Sequence, residues 1–145
     1  MEILNRQATF NYFIEDKYEA GIVLTGTEIK SIRSGKCNIK DSYVIIKDNE
    51  AYLLNTHISH YEQGNIFNHE ETRTRKLLLN KHEILKLKDK INIEGWTLIP
   101  LKIYFVKGRA KIRIGACKGK KNYDKRESIK EKDLERELSK TSKYR

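Results

Sequence analysis

The sequence predicts a mainly β fold: a small antiparallel barrel with short flanking helices, followed by a flexible basic C-terminal tail. Three observations support this. Segments in which apolar and polar residues alternate recur along the chain, only two internal segments begin with a helix cap, and residues 117–145 carry 11 basic and 6 acidic side chains. The chain has 145 residues and a formal net charge of +10, which is typical of a single domain with an acidic partner.

The first strands are predicted in the N-terminal third. Residues 10–14 alternate between inward and outward positions, and residues 21–24 form a short apolar run. Residues 43–46 and 51–54 are two further strand patterns, and the turn formers 47–50 separate them. This arrangement predicts a β-hairpin.

A second, longer hairpin is predicted near the C-terminal end of the barrel. Residues 96–106 and 109–117 flank the short Lys107-Gly108 turn. Pro100 cannot donate a ladder hydrogen bond, so its strand should be an edge or carry a bulge there. In the return strand apolar and cationic residues alternate, which predicts one buried and one cationic face. The cationic face consists of Arg109, Lys111 and Arg113.

Two internal helices are marked by the residues that begin them. Thr25 with Glu28 three residues later is a capping box, and the helix should stop at residues 34–35. Asn80 with Glu83 is a weaker version of the same signal, followed by apolar residues at helical spacing.

The tail differs from the body in composition. We expect residues 1–117 to form the barrel and residues 118–145 to form a separate basic tail. A last capping-box pattern begins at Ser128, but the helix that it predicts carries only three apolar residues, Ile129, Leu134 and Leu138. That is too little to hold a helix on the barrel, so the tail should be disordered when free and helical when a partner orders it.

Enzyme classes find little support in this sequence. Glu28-Ile29-Lys30 has the spacing of some metal-dependent nucleases, with Asp16 as a possible second carboxylate, but a capping role places Glu28 on a helix instead. His57, His60 and His69 fall in a strand end and loop, where we expect surface histidines and no metal site. No phosphate-binding glycine motif or activated nucleophile is recognisable. We therefore predict a protein that is not an enzyme and needs no cofactor.

The composition also predicts where in the cell the protein is located. No apolar run approaches the roughly 20 residues that span a bilayer, and no secretory signal is present. Cys37 and Cys117 are two widely spaced cysteines, so we expect reduced thiols in a cytoplasmic protein that does not bind membranes.

Two basic segments are candidate nucleic-acid contacts. Residues 73–80 place alternating cations, Arg73, Arg75 and then Lys76, before three leucines; the cations could clamp phosphates while Leu77 and Leu79, or else Leu78, anchor the segment in the core. The other segment, 118–126, has five cations around Tyr123, a composition that suits phosphates and exposed bases. A solvated strand edge and a solvated tail remain the alternatives.

Four blocks together resemble the tmRNA-binding small protein B family (SmpB, or SsrA-binding protein), the protein partner of transfer-messenger RNA in bacterial trans-translation. In the family's order and spacing, they are Tyr18-Glu19-Ala20-Gly21 with Gly26-Thr27-Glu28-Ile29-Lys30-Ser31-Ile32-Arg33; Asp41-Ser42-Tyr43; the segment 73–80; and Gly119-Lys120-Lys121 with Asp124-Lys125-Arg126. The family fold, a barrel of the oligonucleotide-binding type with a flexible basic tail, agrees with the strand pattern.

The resemblance implies roles for individual residues. Glu19, Leu78 and Asn80 match positions that the family uses to bind the tRNA-like domain of tmRNA, and we expect the cations Lys30, Arg33, Arg73, Arg75 and Lys76 on the same RNA-binding surface. The tail motif would act in the decoding centre of a stalled ribosome, with Tyr123 stacking on small-subunit rRNA; it consists of Lys118, Gly119, Lys120, Lys121, Tyr123, Asp124, Lys125 and Arg126. Glu70-Glu71 departs from the family's acid and proline, so this loop should be less rigid.

The resemblance thus implies an RNA-binding adaptor for ribosome rescue. Its barrel would bind tmRNA, its tail would probe the empty mRNA channel, and elongation factor Tu would join through the tmRNA complex. The chain is expected to be a monomer. A ribosomal structural protein with its barrel embedded in rRNA is the alternative, since both proteins need the same cations.

Overall fold

An antiparallel sheet closes on itself in residues 2–61 and 68–119, the part of the chain described by the computed structural model. The strands in these two ranges are β1 (Glu2–Leu4), β2 (Tyr12–Ile22), β3 (Cys37–Asn38), β4 (Tyr43–Lys47), β5 (Glu50–Leu54), β6 (His57–Ile58), β7 (Arg75–Leu78), β8 (Thr97–Val106) and β9 (Arg109–Gly119). The helices are α1 (Ala8–Asn11), α2 (Gly26–Arg33) and α3 (Lys81–Asn92).

Six strands form the barrel. They follow one another in the order β8-β4-β5-β7-β2-β9, and β9 also pairs with β8, which closes the ring. β1 pairs with β8 at Lys102 to Tyr104, beyond the point where β4 pairs with it at Leu98. β3 and β6 form a separate two-stranded sheet. The prediction of a mainly β, antiparallel fold with short helices is confirmed.

Both predicted hairpins are present, with two-residue turns. Asp48 and Asn49 have φ of 52° and 59°, and Lys107 and Gly108 have φ of 50° and 79°. Two successive residues with positive φ make the turn type that matches the twist of the flanking strands. The first turn is therefore tighter than the four residues predicted, because Lys47 and Glu50 already pair with each other.

The predicted bulge at Pro100 is confirmed. Pro100 pairs with Ile114 and Lys102 with Arg113, so the register skips Leu101. The Leu101 side chain then packs over Gly115, where an added Cβ would lie 3.1 Å from a Leu101 methyl group.

The N-terminal elements differ from the prediction. Phe10 lies in the short helix α1, and the strand begins only at Tyr12. From there β2 continues for 11 residues, so the two predicted strand segments are one strand. β9 also extends beyond Cys117 to Gly119, which pairs with Tyr12.

The interior is filled by alternate residues of the strands. Ile103, Ile112, Ile114, Leu53 and Leu77 are buried, as alternation on a curved sheet requires. The helices add Ile32 from α2 and Leu87 from α3. Burial raises the pKa of the free thiols of Cys37 and Cys117 to about 12, so both stay protonated.

Both helix caps are confirmed. Thr25 and Glu28 form the reciprocal capping box of α2. The Asn80 side chain accepts a hydrogen bond from the backbone N–H of Glu83 at 2.9 Å.

A buried ion cluster joins α2 to β7. Glu28 and Arg75 are both fully buried, and Arg75 Nε donates to Glu28 Oε2 at 2.5 Å. Arg73 Nη2 donates to Glu28 Oε1 at 2.6 Å, and the Thr25 N–H donates to the same oxygen at 2.9 Å. The Glu28 carboxylate thus has hydrogen bonds on both oxygens, as a buried charge requires.

The rest of the Arg75 guanidinium binds backbone carbonyl groups. Nη1 donates to the oxygens of Thr56 and Arg73 at 2.8 and 2.9 Å, and Nη2 donates to those of Glu71 and Glu70 at 3.1 and 3.4 Å. All five N–H donors of this side chain are therefore used inside the protein. Arg75 joins the segment before β7 to α2 and to Thr56, the residue that precedes β6.

The same contacts set the charge of Glu28. Burial by itself would raise the pKa of this carboxyl, but the hydrogen bonds from Arg73, the Thr25 backbone and Arg75 outweigh burial, so the pKa lies below its ordinary value. A carboxyl whose pKa is lowered by folding stabilises the fold above its ordinary pKa, and this stabilisation disappears as the pH falls through the folded-state value.

We predict that Glu28→Gln destabilises the protein by about 3–5 kcal/mol at pH 7, because it leaves the Arg75 charge buried without its partner. Urea unfolding should measure this difference, and it should shrink as the pH falls below about 4, because the carboxyl takes up its proton in the unfolded chain there while its folded-state pKa lies lower. Glu50→Gln is the matched control, since Glu50 forms an exposed ion pair with Lys76 at 3.0 Å, and little change is expected. Wild-type stability of Glu28→Gln at pH 7 would contradict the prediction.

Candidate nucleic-acid interface

The outward side chains of four adjacent barrel strands make one continuous surface. Directly paired residues of an antiparallel sheet point to the same side, and Glu19 pairs with Arg113 and Gly21 with Lys111. Their neighbours Ala20 and Ile112 point into the core. The surface, called the outer face below, consists of Lys76 and Leu78 of β7, Glu19 of β2, Lys111 and Arg113 of β9, and Lys102 and Tyr104 of β8.

Leu78 is the apolar residue of the outer face. It is 56% exposed, whereas Leu77 is buried and Leu79 packs against the core. Leu77 and Leu79 are therefore the anchors, which settles the alternative that the sequence left open. Gly21 pairs with Leu78, and a Cβ added at Gly21 would lie 3.3 Å from the Leu78 Cβ. A side chain at position 21 would therefore require Leu78 to shift by a few tenths of an ångström.

Glu19 lies among cations. It is exposed on β2, directly opposite Arg113. The Tyr104 hydroxyl of β8 reaches across β9 and donates to Glu19 Oε2. Asn80 lies at the end of the segment that carries Leu78, is exposed, and uses its side-chain oxygen to cap α3.

Three other predicted cations are exposed, and each of them contacts the side chain of a neighbouring residue. Lys30 Nζ lies 5.4 Å from the ring centre of Tyr61, and the Arg33 guanidinium lies 5.1 Å from that of Phe105. Both cations belong to α2 rather than to the four strands. Lys76 is on the outer face and pairs with Glu50 at 3.0 Å.

The prediction that Arg75 binds RNA is wrong. Its side chain has no exposed surface, and each of its donors has an internal partner. The alternation of residues 73–80 puts Arg75 on the same side of β7 as the buried Leu77. Arg73 keeps 33% of its side-chain surface although it also binds Glu28, so this side chain is partly accessible to solvent.

The prediction of surface histidines is wrong for His69. This side chain is buried, with Nε2 2.7 Å from the Ile58 carbonyl oxygen and Nδ1 2.9 Å from Thr27 Oγ1. His57 and His60 are more exposed and both face Glu71, at 2.8 and 3.7 Å.

The carboxylates considered for a nuclease are engaged separately. Asp16 pairs with Lys90 at 2.5 Å, whereas Glu28 belongs to the buried ion cluster. Within residues 2–61 and 68–119, no three His, Cys, Asp or Glu side chains converge on a possible metal position. In the same ranges, no helix combines the length and apolar character needed to cross a bilayer.

Two residues of the predicted tail motif belong to the barrel. Lys118 and Gly119 are exposed and form the end of β9, opposite Phe13 and Tyr12. Lys118 Nζ lies 5.9 Å from the ring centre of Trp96. The other motif residues lie outside the described residues: Lys120, Lys121, Tyr123, Asp124, Lys125 and Arg126.

Sequence reasoning missed Tyr104 as a site residue. Its strand was predicted, but its contact with Glu19 joins residues 85 positions apart. The signal that could have found it is strand alternation. Lys102 and Tyr104 are two positions apart, so their side chains point to the same side of β8. Their partners across the second hairpin, Arg113 and Lys111, point to that side as well.

Comparison with known proteins identifies the family to which this sequence is similar. The family model described as SmpB protein matches residues 2–144. The SsrA-binding protein of Desulfitobacterium hafniense is 59% identical over 134 residues, which cover 92% of this chain and 86% of that protein. The SsrA-binding protein of Shouchella clausii is 57% identical over 141 residues, which cover 97% of this chain and 90% of that protein.

A solved structure is similar as well. It is described as "tmRNA-SmpB: a journey to the center of the bacterial ribosome". The chain matched in it is 44% identical to this one with a TM-score of 0.71, and the match covers 88% of this chain and 94% of that one.

Proposed function

The chain belongs to the SmpB protein family, and on that premise we propose that it is a non-enzymatic RNA-binding adaptor. It binds the tRNA-like domain of tmRNA through its barrel and brings tmRNA to stalled ribosomes for trans-translation. The observation that carries the proposal is the outer face, where the exposed Lys76 and the half-buried Lys102, Lys111 and Arg113 lie on the same side of neighbouring strands as Leu78 and Glu19.

The outer face suits a folded RNA. Lys102, Lys111 and Arg113 form a cationic strip across β8 and β9 that can neutralise phosphates. Leu78 offers an apolar surface to a ribose or an exposed base. A sheet of this kind presents few groups that read base edges in a helix, so shape rather than sequence should dominate recognition.

The other proposed contacts extend this surface. Lys30, Arg33 and Lys76 are exposed and can approach phosphates, and the solvent-facing part of Arg73 can do the same. Asn80 retains its side-chain NH₂ group for RNA, since its oxygen caps α3. Arg75 contributes indirectly by holding β7 in place.

We assign the ribosome-dependent step to the tail. Lys118 and Gly119 end β9 immediately before the tail. In the tail, Lys120, Lys121, Asp124, Lys125 and Arg126 would contact small-subunit rRNA around the stacking ring of Tyr123. Elongation factor Tu would take part through the tmRNA complex, with the protein acting as a monomer.

The direct test is to purify a tagged copy of the full chain from its own cells and to identify the bound RNA. tmRNA as the enriched species supports the adaptor. If ribosomal RNA and the ribosomal proteins copurify in equal amount with the chain and tmRNA does not, the result would instead indicate that the chain is a ribosomal structural protein.

We predict a steep salt dependence for binding of the transcribed tRNA-like domain. If about 6 phosphates are neutralised, affinity should fall about a thousandfold between about 50 and 200 mM salt. Lys111→Ala and Arg113→Ala should each reduce the slope of log affinity against log salt by about 1, whereas Leu78→Ala should lower affinity without changing the slope. Filter binding over a salt series measures both quantities.

The control for this experiment is Lys47→Ala, which removes an exposed cation from β4, outside the outer face. It should leave the slope unchanged. A flat salt response of the wild-type chain would contradict electrostatic binding, and equal effects of Lys47→Ala and Lys111→Ala would contradict the assignment to the outer face.

We also predict that the two parts of the chain can be separated. A chain ending at Gly119 keeps β9 complete and should fold and bind the tRNA-like domain, but it should not support tagging of stalled nascent chains. In the full chain, Tyr123→Ala removes a stacking plane worth about 1–3 kcal/mol. This variant, like Lys120→Ala with Lys121→Ala, should bind the RNA normally and fail in a reconstituted tagging reaction.

Tyr144→Ala removes another tail tyrosine, one outside the proposed motif, and should tag normally. Loss of RNA binding on truncation after Gly119 would show that the tail belongs to the tmRNA interface, and the division of labour would then be wrong.

A further inference from the structure

A carboxylate in the middle of a cationic surface needs an explanation. Glu19 is exposed on the outer face, where Lys17 precedes it by two residues and Arg113 and Lys111 lie across the ladder. A negative charge at this place repels phosphate and weakens the attraction that the cations provide. Its presence on an RNA-binding face indicates an interaction with something other than phosphate.

The carboxylate is not neutralised by the cation opposite it. Among the described residues, no Lys or Arg nitrogen lies within ion-pair distance of Glu19. The Arg113 guanidinium lies instead over the ring of Tyr104, 5.8 Å from its centre, and Lys102 Nζ lies 5.1 Å from the same ring. The two nearest cations of β8 and β9 thus contact the aromatic ring.

Tyr104 supplies the hydrogen bond that Glu19 receives. Its hydroxyl donates to Oε2, and its ring is held by Lys102 and Arg113, with Lys102 tied in turn to Glu2 at 3.3 Å. Strands β8 and β2 lie on opposite sides of β9, about 10 Å apart. A tyrosine is long and rigid enough to bridge this distance, with only two side-chain torsions to order.

The hydroxyl keeps its proton at neutral pH and above. Partial burial and the hydrogen bond to the Glu19 carboxylate both raise the pKa of Tyr104, and they outweigh the opposing effect of Arg113. Tyr104 therefore stays a hydrogen-bond donor, and it occupies one oxygen of the carboxylate and leaves the other oxygen as an acceptor.

We propose that Glu19 recognises RNA by accepting hydrogen bonds from uncharged N–H or O–H donors, and that Tyr104 is the positioning residue that orients its carboxylate. Guanine is the one base whose Watson–Crick edge presents two adjacent donors, N1–H and N2–H, which match a carboxylate, and the ribose 2′-hydroxyl is the donor of the RNA backbone. The inference rests on the proposed binding of a structured RNA by the outer face, and it adds the chemistry of one contact and a residue behind it.

The direction in which one substitution changes RNA affinity distinguishes this proposal from simple electrostatics. Glu19→Gln removes a negative charge from a cationic face, so electrostatics alone predicts tighter RNA binding. The proposal predicts weaker binding, because the amide presents one acceptor oxygen instead of two and adds a donor that opposes the donors of the RNA. About tenfold weaker binding is expected, the scale of one hydrogen bond to a charged group.

Tyr104→Phe tests the positioning role. It removes only the hydroxyl and keeps the ring that Lys102 and Arg113 contact. Binding of the transcribed tRNA-like domain should weaken about threefold to tenfold with an unchanged salt slope. In the Glu19→Gln background, Tyr104→Phe should have almost no further effect, because a positioning residue acts only through the group that it positions.

Tyr52→Phe is the matched control. The Tyr52 hydroxyl also donates to a carboxylate, Glu50 Oε2 at 2.8 Å, on β5 of the same barrel. Its removal should leave RNA affinity unchanged, and thermal unfolding of all variants should confirm that the barrel remains folded.

The source of the donor is identified with modified RNA. Transcripts that carry inosine in place of one unpaired guanine lose the N2–H donors, and single 2′-deoxy substitutions lose the ribose donor. One of these changes should weaken wild-type binding and have no effect on Glu19→Gln.

Three outcomes overturn the inference. They are tighter or unchanged binding by Glu19→Gln, an additive effect of Glu19→Gln and Tyr104→Phe, and unchanged binding of the wild-type chain to every modified RNA. These outcomes are distinct from a failure of the wild-type chain to bind the RNA, which would overturn the proposed function itself.

Discussion

The arrangement of the barrel depends on the buried contact between Glu28 and Arg75. Two charges without solvent access persist in the interior because both oxygens and all five N–H groups have partners. One partner belongs to the first turn of α2 and the other to the first residue of β7, so the contact fixes how the helix meets the sheet. Since the chain between them is long, this contact replaces the local constraint that a short loop would give.

The position of β7 then decides which of its residues lie on the outer face. With Arg75 and Leu77 turned inward, Lys76 and Leu78 must point outward, because successive side chains of a strand alternate. A slip of one residue would bury Lys76 and Leu78 and expose the ion cluster. The buried charges therefore determine the position of residues that they do not contact, because they place Leu78 over Gly21, beside Glu19. The outer face is therefore specified by an interaction in the interior of the barrel.

Sequence reasoning succeeded where the signal is local. The two turns, the two helix caps and the bulge at Pro100 each depend on a few consecutive residues, and all were predictable. It failed where the environment depends on distant residues. Arg75 resembles the partly exposed Arg73 in sequence, and only its partner 47 positions away explains its burial. His69 was missed for the same reason, because its partners, Thr27 and the Ile58 carbonyl, lie in other elements.

The composition of the outer face separates attraction from discrimination. Lys102, Lys111 and Arg113 attract any polyanion, and attraction of this kind cannot distinguish one RNA from another. Discrimination has to come from groups whose interaction depends on contact geometry, and in the proposed interface these are Leu78 and the carboxylate of Glu19. Both are carried by paired strands and not by loops, so their positions are fixed before RNA arrives, and little ordering is required on binding. A rigid barrel wall with a few short-range groups among cations is therefore suited to recognise one folded RNA by its shape.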